Sequence, residues 1–377
     1  MKQPKDLSIA IAAGGTAGHI NPALALAENL RDKGATVIFF GQEKKLEGKL
    51  VCDAGFKLVN MKMKGFDRTK PWTALTALRQ ARRAKKTIAE FYKNRKRPDV
   101  VVGFGAYIEV PLVAWGYENH IPVVLHEQNS IPGLANKMNA NVADVVAYAF
   151  PQVVDPLKKR VSSYTHFVQT GIPVRNTVLN AIEKANREAP QKADKNKTKN
   201  LLVFGGSLGA QSINNAMVNL KDDLLALDSV HVLHATGKEH FEKVQKSLKL
   251  TEEERKRWKI VPYLEDMGEA LGHADLILSR AGASSVAEIA AAGVPALLVP
   301  YPHARGNHQA FNARLLSDAG SALIVKDAML SSSAFKEKLL ELLTHKKELN
   351  AMRKAAKKLA SADACALLTE AVLGVIQ

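Results

Sequence analysis

Three places in the sequence bring together residue types that can do chemistry. His19 follows Gly14-Gly15-Thr16-Ala17-Gly18. A histidine changes charge near neutral pH, so beside a nucleophile it can accept a proton. The glycines before it let backbone N–H groups approach phosphate or sugar oxygens, and a helix after them offers its positive end. The same kind of turn returns at Gly205-Gly206-Ser207. The third place is Ser279 to Leu316, SRAGASSVAEIAAAGVPALLVPYPHARGNHQAFNARLL, with a small-residue turn from Ala281 to Ser285, then Glu288 in a helix, and a polar loop ending in Gln309 and Asn312. Backbone and hydroxyl donors suit the phosphates of a nucleotide there, and a carboxylate offers acceptors to both ribose hydroxyls. Each place also has a plainer reading: a tight strand-to-helix connection, a satisfied structural histidine, a surface glutamate. The recurrence of the glycine turn weighs against the plain one.

The elements around these places follow one pattern. Leu7 to Ala13 is an apolar run that suits a first buried strand, and it leads through the glycine turn into the helical stretch ALALAENLRDKG. Asn21 is expected to cap that helix, Pro22 to take its first position and Gly34 to end it. Further strands are expected at Thr36 to Phe40, Asp99 to Val102, Pro122 to Leu125 and Asp144 to Tyr148, with helices between them. A polar, basic stretch from Lys184 to Asn200 breaks the pattern. After it come strands at Leu201 to Phe204, Val230 to His234, Ala274 to Leu278, Pro295 to Val299 and Leu323 to Val325, and a basic helical tail. Strands alternating with helices imply a parallel sheet, here in two similar α/β halves. Open sheets of this kind bind ligands at the carboxyl ends of their strands, so the site is expected in the cleft between the halves.

Composition narrows the class. With 377 residues, 46% hydrophobic and 24% charged, the chain is globular and of roughly two domains, not disordered or collagen-like. Lys and Arg number 53 against 37 Asp and Glu, a net charge of +16, which points to an anionic partner. No recognised nucleic-acid-binding module is present, so nucleic acid is not expected to be that partner. Cys52 and Cys365 are the only cysteines and no Cys/His cluster has zinc spacing, which argues for a reducing compartment. The opening apolar run is too short for a signal peptide. The longest one, Val101 to Tyr117, is broken by Glu109 and Pro111 and falls short of the roughly 20 residues of a membrane span.

The Ser279 to Leu316 stretch, together with GGTAGHINPALALA (Gly14 to Ala27), HEQNSIPGLANK (His126 to Lys137), GIPVR (Gly171 to Arg175) and GGSLGAQSIN (Gly205 to Asn214), resembles the MurG family. Its members add N-acetylglucosamine from UDP-N-acetylglucosamine (UDP-GlcNAc) to lipid I, undecaprenyl-pyrophosphoryl-MurNAc-pentapeptide, making lipid II. The resemblance implies a GT-B fold, two Rossmann-like domains whose parallel sheets face across a cleft. Residues 1–173 would bind acceptor and membrane and 174–360 the donor, with a final helix in 361–377 crossing back to the first domain. It implies inversion at the anomeric carbon with no metal and no cofactor. By the same resemblance Thr16, Ala17 and Gly18 face the donor sugar and its phosphates, Asn129 the sugar, Arg175 and Ser207 the phosphates, and Leu264 the uracil through its backbone. Ala283, Ser284, Ser285, Val286, Ala287 and Glu288 form the nucleotide loop and helix, with Glu288 on the ribose, and Gln309 meets the transferred sugar. Tyr107 and Glu127 fall on the acceptor side, and His19 is expected to be the general base. Three positions depart from the family pattern: Ala17 replaces the middle glycine of GGTGGH, GIPVR stands for GNPVR, and Gly105 to Pro111 reads GAYIEVP where GGYVSGP is common.

Lys62 to Arg97 carries thirteen Lys and Arg against Asp67 and Glu90 alone. At about 100° per residue, Ala74, Ala77, Leu78, Ala81, Ala84, Ile88 and Phe91 fall on one side of a helix, expected to pack inward. Trp72, Leu75, Arg79, Arg82, Arg83 and Lys86 fall on the other, a mixture suited to anionic head groups. The whole predicts an inverting N-acetylglucosaminyltransferase, peripheral at the cytoplasmic face of the membrane. Its partners would be UDP-GlcNAc, lipid I, the anionic lipid surface and other proteins of cell-wall synthesis. The rivals are another GT-B enzyme (a glycolipid glycosyltransferase or a UDP-sugar epimerase) and a non-catalytic, membrane-docked sugar-nucleotide sensor. The paired GGTAGH and HEQN blocks argue against the former.

Overall fold

Seven strands form the first sheet: β1 (Ser8–Ala12), β2 (Thr36–Gly41), β3 (Lys57–Asn60), β4 (Val100–Gly103), β5 (Val123–Glu127), β6 (Val145–Tyr148) and β7 (His166–Gln169). The computed structural model describes residues 6–63, 73–192, 198–359 and 363–376. The strand order is β3-β2-β1-β4-β5-β6-β7, every pair parallel. β1 and β4 are buried along their whole length, which is why their sequences read as apolar runs without alternation. Around this sheet lie α1 (Ala17–Asp32), α2 (Leu46–Asp53), α3 (Thr73–Tyr92), α4 (Val110–Glu118), α5 (Leu134–Asn139) and α6 (Val154–Lys158).

The second sheet has β8 (Lys199–Phe204), β9 (Val230–Ala235), β10 (Trp258–Val261), β11 (Leu276–Ser279), β12 (Ala296–Leu298) and β13 (Ala322–Ile324), in the order β10-β9-β8-β11-β12-β13 and again all parallel. Its helices are α7 (Asn176–Lys192), α8 (Gln211–Asn219), α9 (Lys221–Leu225), α10 (Phe241–Leu248), α11 (Glu252–Arg257), α12 (Met267–His273), α13 (Ala283–Ala292), α14 (His308–Ser317), α15 (Ser333–Thr344) and α16 (Lys346–Leu359). Both sheets start in the middle and wind outward in each direction, the doubly wound arrangement of the GT-B class. The chain divides into one unit of Met1–Arg175 with Asp363–Gln377 and a second of Asn176–Ala362, each with apolar cores on both faces of its sheet.

The last helix, α17 (Ala364–Gly374), belongs to the first unit. Leu368 and Val372 enter the same core as Ile20, Leu24 and Ala27 of α1. The Thr369 hydroxyl donates to Asn29 Oδ1 at 3.0 Å, and the Cys365 thiol to the Ala25 carbonyl at 3.3 Å.

Four sequence expectations are corrected. α1 begins at Ala17 with Thr16 as its N-cap residue, so Asn21 does not cap it and Pro22 lies inside it. The Thr16 carbonyl already accepts from the N–H groups of His19 and Ile20, which starts the helix directly from the glycine turn. Gly34 does end it, at a φ of +93°. The basic stretch after Lys184 is helical as far as Lys192; Ile182 and Ala185 are buried against α12 while Glu183, Lys184 and Arg187 face water. There a Cβ on Gly268 or Gly272 would lie 2.6 Å from the Val178 carbonyl or from Ala185 Cβ, so these glycines set how closely the helices approach. Leu78 does not pack inward but is 50% exposed, alongside Leu75 at 59%. Finally, Gln309 and Asn312 lie on α14 and not in the loop before it. Trp72, part of the expected membrane face, lies outside the described residues.

Candidate functional site

In the first unit the loops after β1, β4 and β5, three neighbouring strands, come together. His19 is the third residue of α1 and half-buried. Its ring lies against Gly105, where an added Cβ would come within 3.6 Å of Cε1 and Nδ1, and Gly105 itself adopts a φ of +84°. Nδ1 of His19 is 3.1 Å from Oε1 of Gln128. The Gln128 amide nitrogen approaches the Phe104 carbonyl, the His126 carbonyl and His126 Nδ1. His126 is fully buried at the end of β5, and its Nε2 is 2.9 Å from the Gly171 carbonyl. Burial pulls the His126 imidazole down to about 4, so it is neutral at physiological pH.

Three buried carboxyl groups hold these loops from beneath. Glu47 accepts from the N–H groups of Gly15 and Gln42, both at 3.3 Å. Glu109 accepts from Gly105 N–H and, at 3.1 Å, from Asn139 Nδ2. Glu127 accepts from the N–H groups of Asn129 (3.0 Å) and Gly133 (2.7 Å) and from the side-chain amides of Asn129 and Asn136. Carboxyl groups serve well here, since each has two oxygens and several acceptor directions. Glu127, expected on the acceptor side, is 1% exposed and its oxygens are engaged by its own loop. Tyr107 is half-buried, and its hydroxyl accepts from Gln42 Nε2 at 2.7 Å.

The other residues of this unit singled out in the sequence are placed as follows. Thr16, Ala17 and Gly18 form the cap and first turn of α1. Ala17 has ordinary helical geometry, so a glycine is not required there; Gly15, at a φ of +84°, is the position that needs one. Asn129 is half-buried at the head of the β5 loop. Arg175 is held on α1, with Nε and Nη2 donating to Glu28 Oε1 at 2.9 and 2.6 Å.

In the second unit the residues again follow the carboxyl ends of adjacent strands. Ser207 is exposed in the turn after β8, between Gly206 and Gly209, both at positive φ. A Cβ at Gly209 would lie 2.1 Å from the Thr236 carbonyl, so the turn is as tight as its glycines allow. α13 follows β11 and is capped by Gly282, with no side-chain bond to its first N–H groups. Ala283, Ser284 and Ser285 make its first turn, whose N–H groups find no acceptor within the helix. Val286 and Ala287 are buried, and Val286 N–H bonds the Gly282 carbonyl at 2.9 Å. Those two side chains pack into the core, so what this part of α13 presents outward comes from its neighbours.

Glu288, one turn further, is half-buried and has no hydrogen-bond partner among the described residues; burial pushes its carboxyl up to about 7. Gln309 accepts from Tyr301 N–H at 2.9 Å, and Leu264 is half-buried after β10. Arg280, at the end of β11, ties the loops together: its buried guanidinium donates to the Val299 carbonyl at 3.1 Å, to Ser212 Oγ at 2.8 Å and to Asp327.

His126, Gln128, Glu47 and Arg280 escape the sequence reading as functional positions. The first two lie in the HEQN block, which signals them. Glu47, inside a run of charged residues, carries no signal at all.

Residues 9–148 match the glycosyltransferase family 28 N-terminal domain and residues 200–368 its C-terminal domain. The UDP-N-acetylglucosamine–N-acetylmuramyl-(pentapeptide) pyrophosphoryl-undecaprenol N-acetylglucosamine transferase of Halothermothrix orenii is 35% identical, over 94% of this chain and 95% of that protein. Its namesake in Oenococcus oeni is 33% identical over 98% of each. The chain belongs to this transferase family. Among solved structures, Acinetobacter baumannii MurG superposes with a TM-score of 0.70 at 27% identity, covering 97% of this chain and 99% of that one. The glycosyltransferase of kitacinnamycin, at 17% identity and a TM-score of 0.71, shares the fold. Family members are N-acetylglucosaminyltransferases, and the blocks of sequence that mark the family here lie at the carboxyl ends of strands in the two sheets.

Proposed function

We propose that this chain transfers N-acetylglucosamine from UDP-GlcNAc to the pyrophosphoryl-undecaprenol acceptor in the names of its relatives, with inversion and in peptidoglycan synthesis. The second unit takes the donor. The first turn of α13 and the Ser207 turn receive the diphosphate, the Leu264 backbone the uracil, and Gln309 the sugar. Thr16, Ala17, Gly18 and Asn129 complete the sugar side, with Arg175 as a further phosphate contact. The first unit, Met1–Arg175 with Asp363–Gln377, takes the acceptor beside Tyr107. The acceptor hydroxyl attacks the anomeric carbon as the bond to UDP breaks, and His19 takes the hydroxyl proton. N–H groups at the start of α13 stabilise the charge that develops on the departing diphosphate.

The observation that carries this reading is Glu288. Its half-buried carboxyl group has no donor among the described residues and stands one turn from a helix start suited to phosphate. Two vicinal ribose hydroxyls are the donors it lacks. Glu288→Ala is expected to weaken UDP binding in calorimetry by roughly tenfold or more, the weight of a hydrogen bond to a charged group. Turnover of UDP-GlcNAc with a lipid I analogue tests the whole; a folded protein that makes no product refutes it.

The membrane side of the proposal rests on α3, whose Leu75, Leu78, Arg79 and Arg82 are exposed on one stripe. Cations with apolar side chains between them suit an anionic lipid surface, here the cytoplasmic face. No described helix is long and apolar enough to cross a membrane.

A further inference from the structure

The hydrogen bonds around Gln128 determine where a proton sits. Its amide nitrogen is 3.2 Å from the Phe104 carbonyl oxygen and 3.2 Å from that of His126. Carbonyl oxygens only accept, so the NH2 end of the amide must face them; the reversed amide would set oxygen against two oxygens. Oε1 is then the atom 3.1 Å from His19 Nδ1. An amide oxygen also only accepts, so His19 Nδ1 carries a proton and donates it. A neutral imidazole has one such proton, which leaves the lone pair on Nε2. The far end of the chain of bonds agrees. His126 Nε2 must donate to the Gly171 carbonyl, so His126 Nδ1 accepts from the Gln128 amide at 3.1 Å. Every bond from Gly171 to His19 runs with the same polarity.

We infer that Gln128 is a positioning residue that locks His19 in the Nδ1–H tautomer, so that Nε2 is the nitrogen that takes the proton. This rests on the reading of His19 as the base. In the transfer, the acceptor oxygen bonds the anomeric carbon as the bond from that carbon to the UDP oxygen breaks, and the electron pair leaves with UDP. The hydroxyl proton passes to His19 Nε2. The resulting imidazolium keeps its Nδ1–H on Gln128 Oε1, so no group turns during the step. His126, neutral and buried, keeps the amide from reversing.

The test uses the full chain labelled with ¹⁵N-histidine, with the His19 signals assigned by their loss in His19→Gln. Two-bond proton–nitrogen correlations are expected to show His19 protonated on Nδ1 in the wild type. In Gln128→Met, which keeps the length of the side chain and removes its hydrogen bonds, His19 is expected to shift toward Nε2–H. kcat is expected to fall roughly tenfold, the weight of one hydrogen bond, with KM for UDP-GlcNAc unchanged. A wild-type His19 protonated on Nε2 overturns the inference whether or not the variant folds. So does a Gln128→Met enzyme whose tautomer changes while kcat does not. If His19→Ala turns over as fast as wild type, the assignment of the base fails instead, and the tautomer measurement still stands by itself.

Discussion

His19 and Glu109 lie on either side of the Gly105 loop, and they make opposite demands on their surroundings. His19 keeps part of its ring exposed, as a group that meets substrate must. His19→Ala is expected to lower kcat by about 10²–10⁴-fold while leaving UDP affinity near wild type, checked by steady-state kinetics and calorimetry; an unchanged kcat would make the residue structural. Glu109 is fully buried, and burial pushes its carboxyl up to about 8, far above the 4.5 it has when unfolded. The folded protein therefore holds this proton to a higher pH than the unfolded chain does. The stability it supports is complete in acid and is lost as pH rises through about 8. Thermal unfolding between pH 6 and 9 is expected to show a loss of roughly 2–3 kcal/mol from this group. Glu109→Gln, with the Asn139 amide reversed to accept, should flatten that slope, and equal slopes in both proteins would contradict the assignment. Residues of this kind set the limit of what the sequence reveals. His19 and Glu288 stand beside glycine turns and small residues that announce them. Gln128 and Glu47 act through partners 109 and 32 positions away, and nothing in their own neighbourhoods points to those partners.

Among the elements, the central strands and the edge strand β13 are legible, and the other three edges are not. β1, β4, β5, β8 and β11 are covered on both faces, so each is an apolar run in the sequence. β3, β7 and β10 close the sheets at their edges, half exposed, and their mixed composition hides them. α3 shows the same limit. Its period predicts which residues turn inward at Ala84 and Ile88, but near its start Leu78 joins the exposed stripe. The proposed lipid surface is this apolar pair flanked by Arg79, Arg82, Arg83 and Lys86. Each cation near an anionic bilayer is worth about 1 kcal/mol. The variant Leu75→Ser, Leu78→Ser, Arg79→Glu, Arg82→Glu is expected to lose sedimentation with anionic liposomes and to keep its fold. Sedimentation equal to that of the wild type would move the membrane contact elsewhere.

At the scale of the whole molecule, two sheets of the same winding each carry their own core, and one helix breaks the simple division of the chain. α17 is separated from the rest of its unit by all of residues 176–362, yet Leu368 sits fully buried against α1. Leu368→Ala is expected to cost about 2–5 kcal/mol, all of it in the first unit. Hydrogen exchange would show this as faster opening of β1 and α1 with β8 and β11 unaffected; a uniform change would mean the two units unfold together. This arrangement also fixes an order of events on the ribosome. Residues 176–362 can close their sheet as soon as they emerge, whereas the earlier unit must wait, its α1 groove still greasy and open, until α17 has been made. The half of the protein that is translated first is thus completed last.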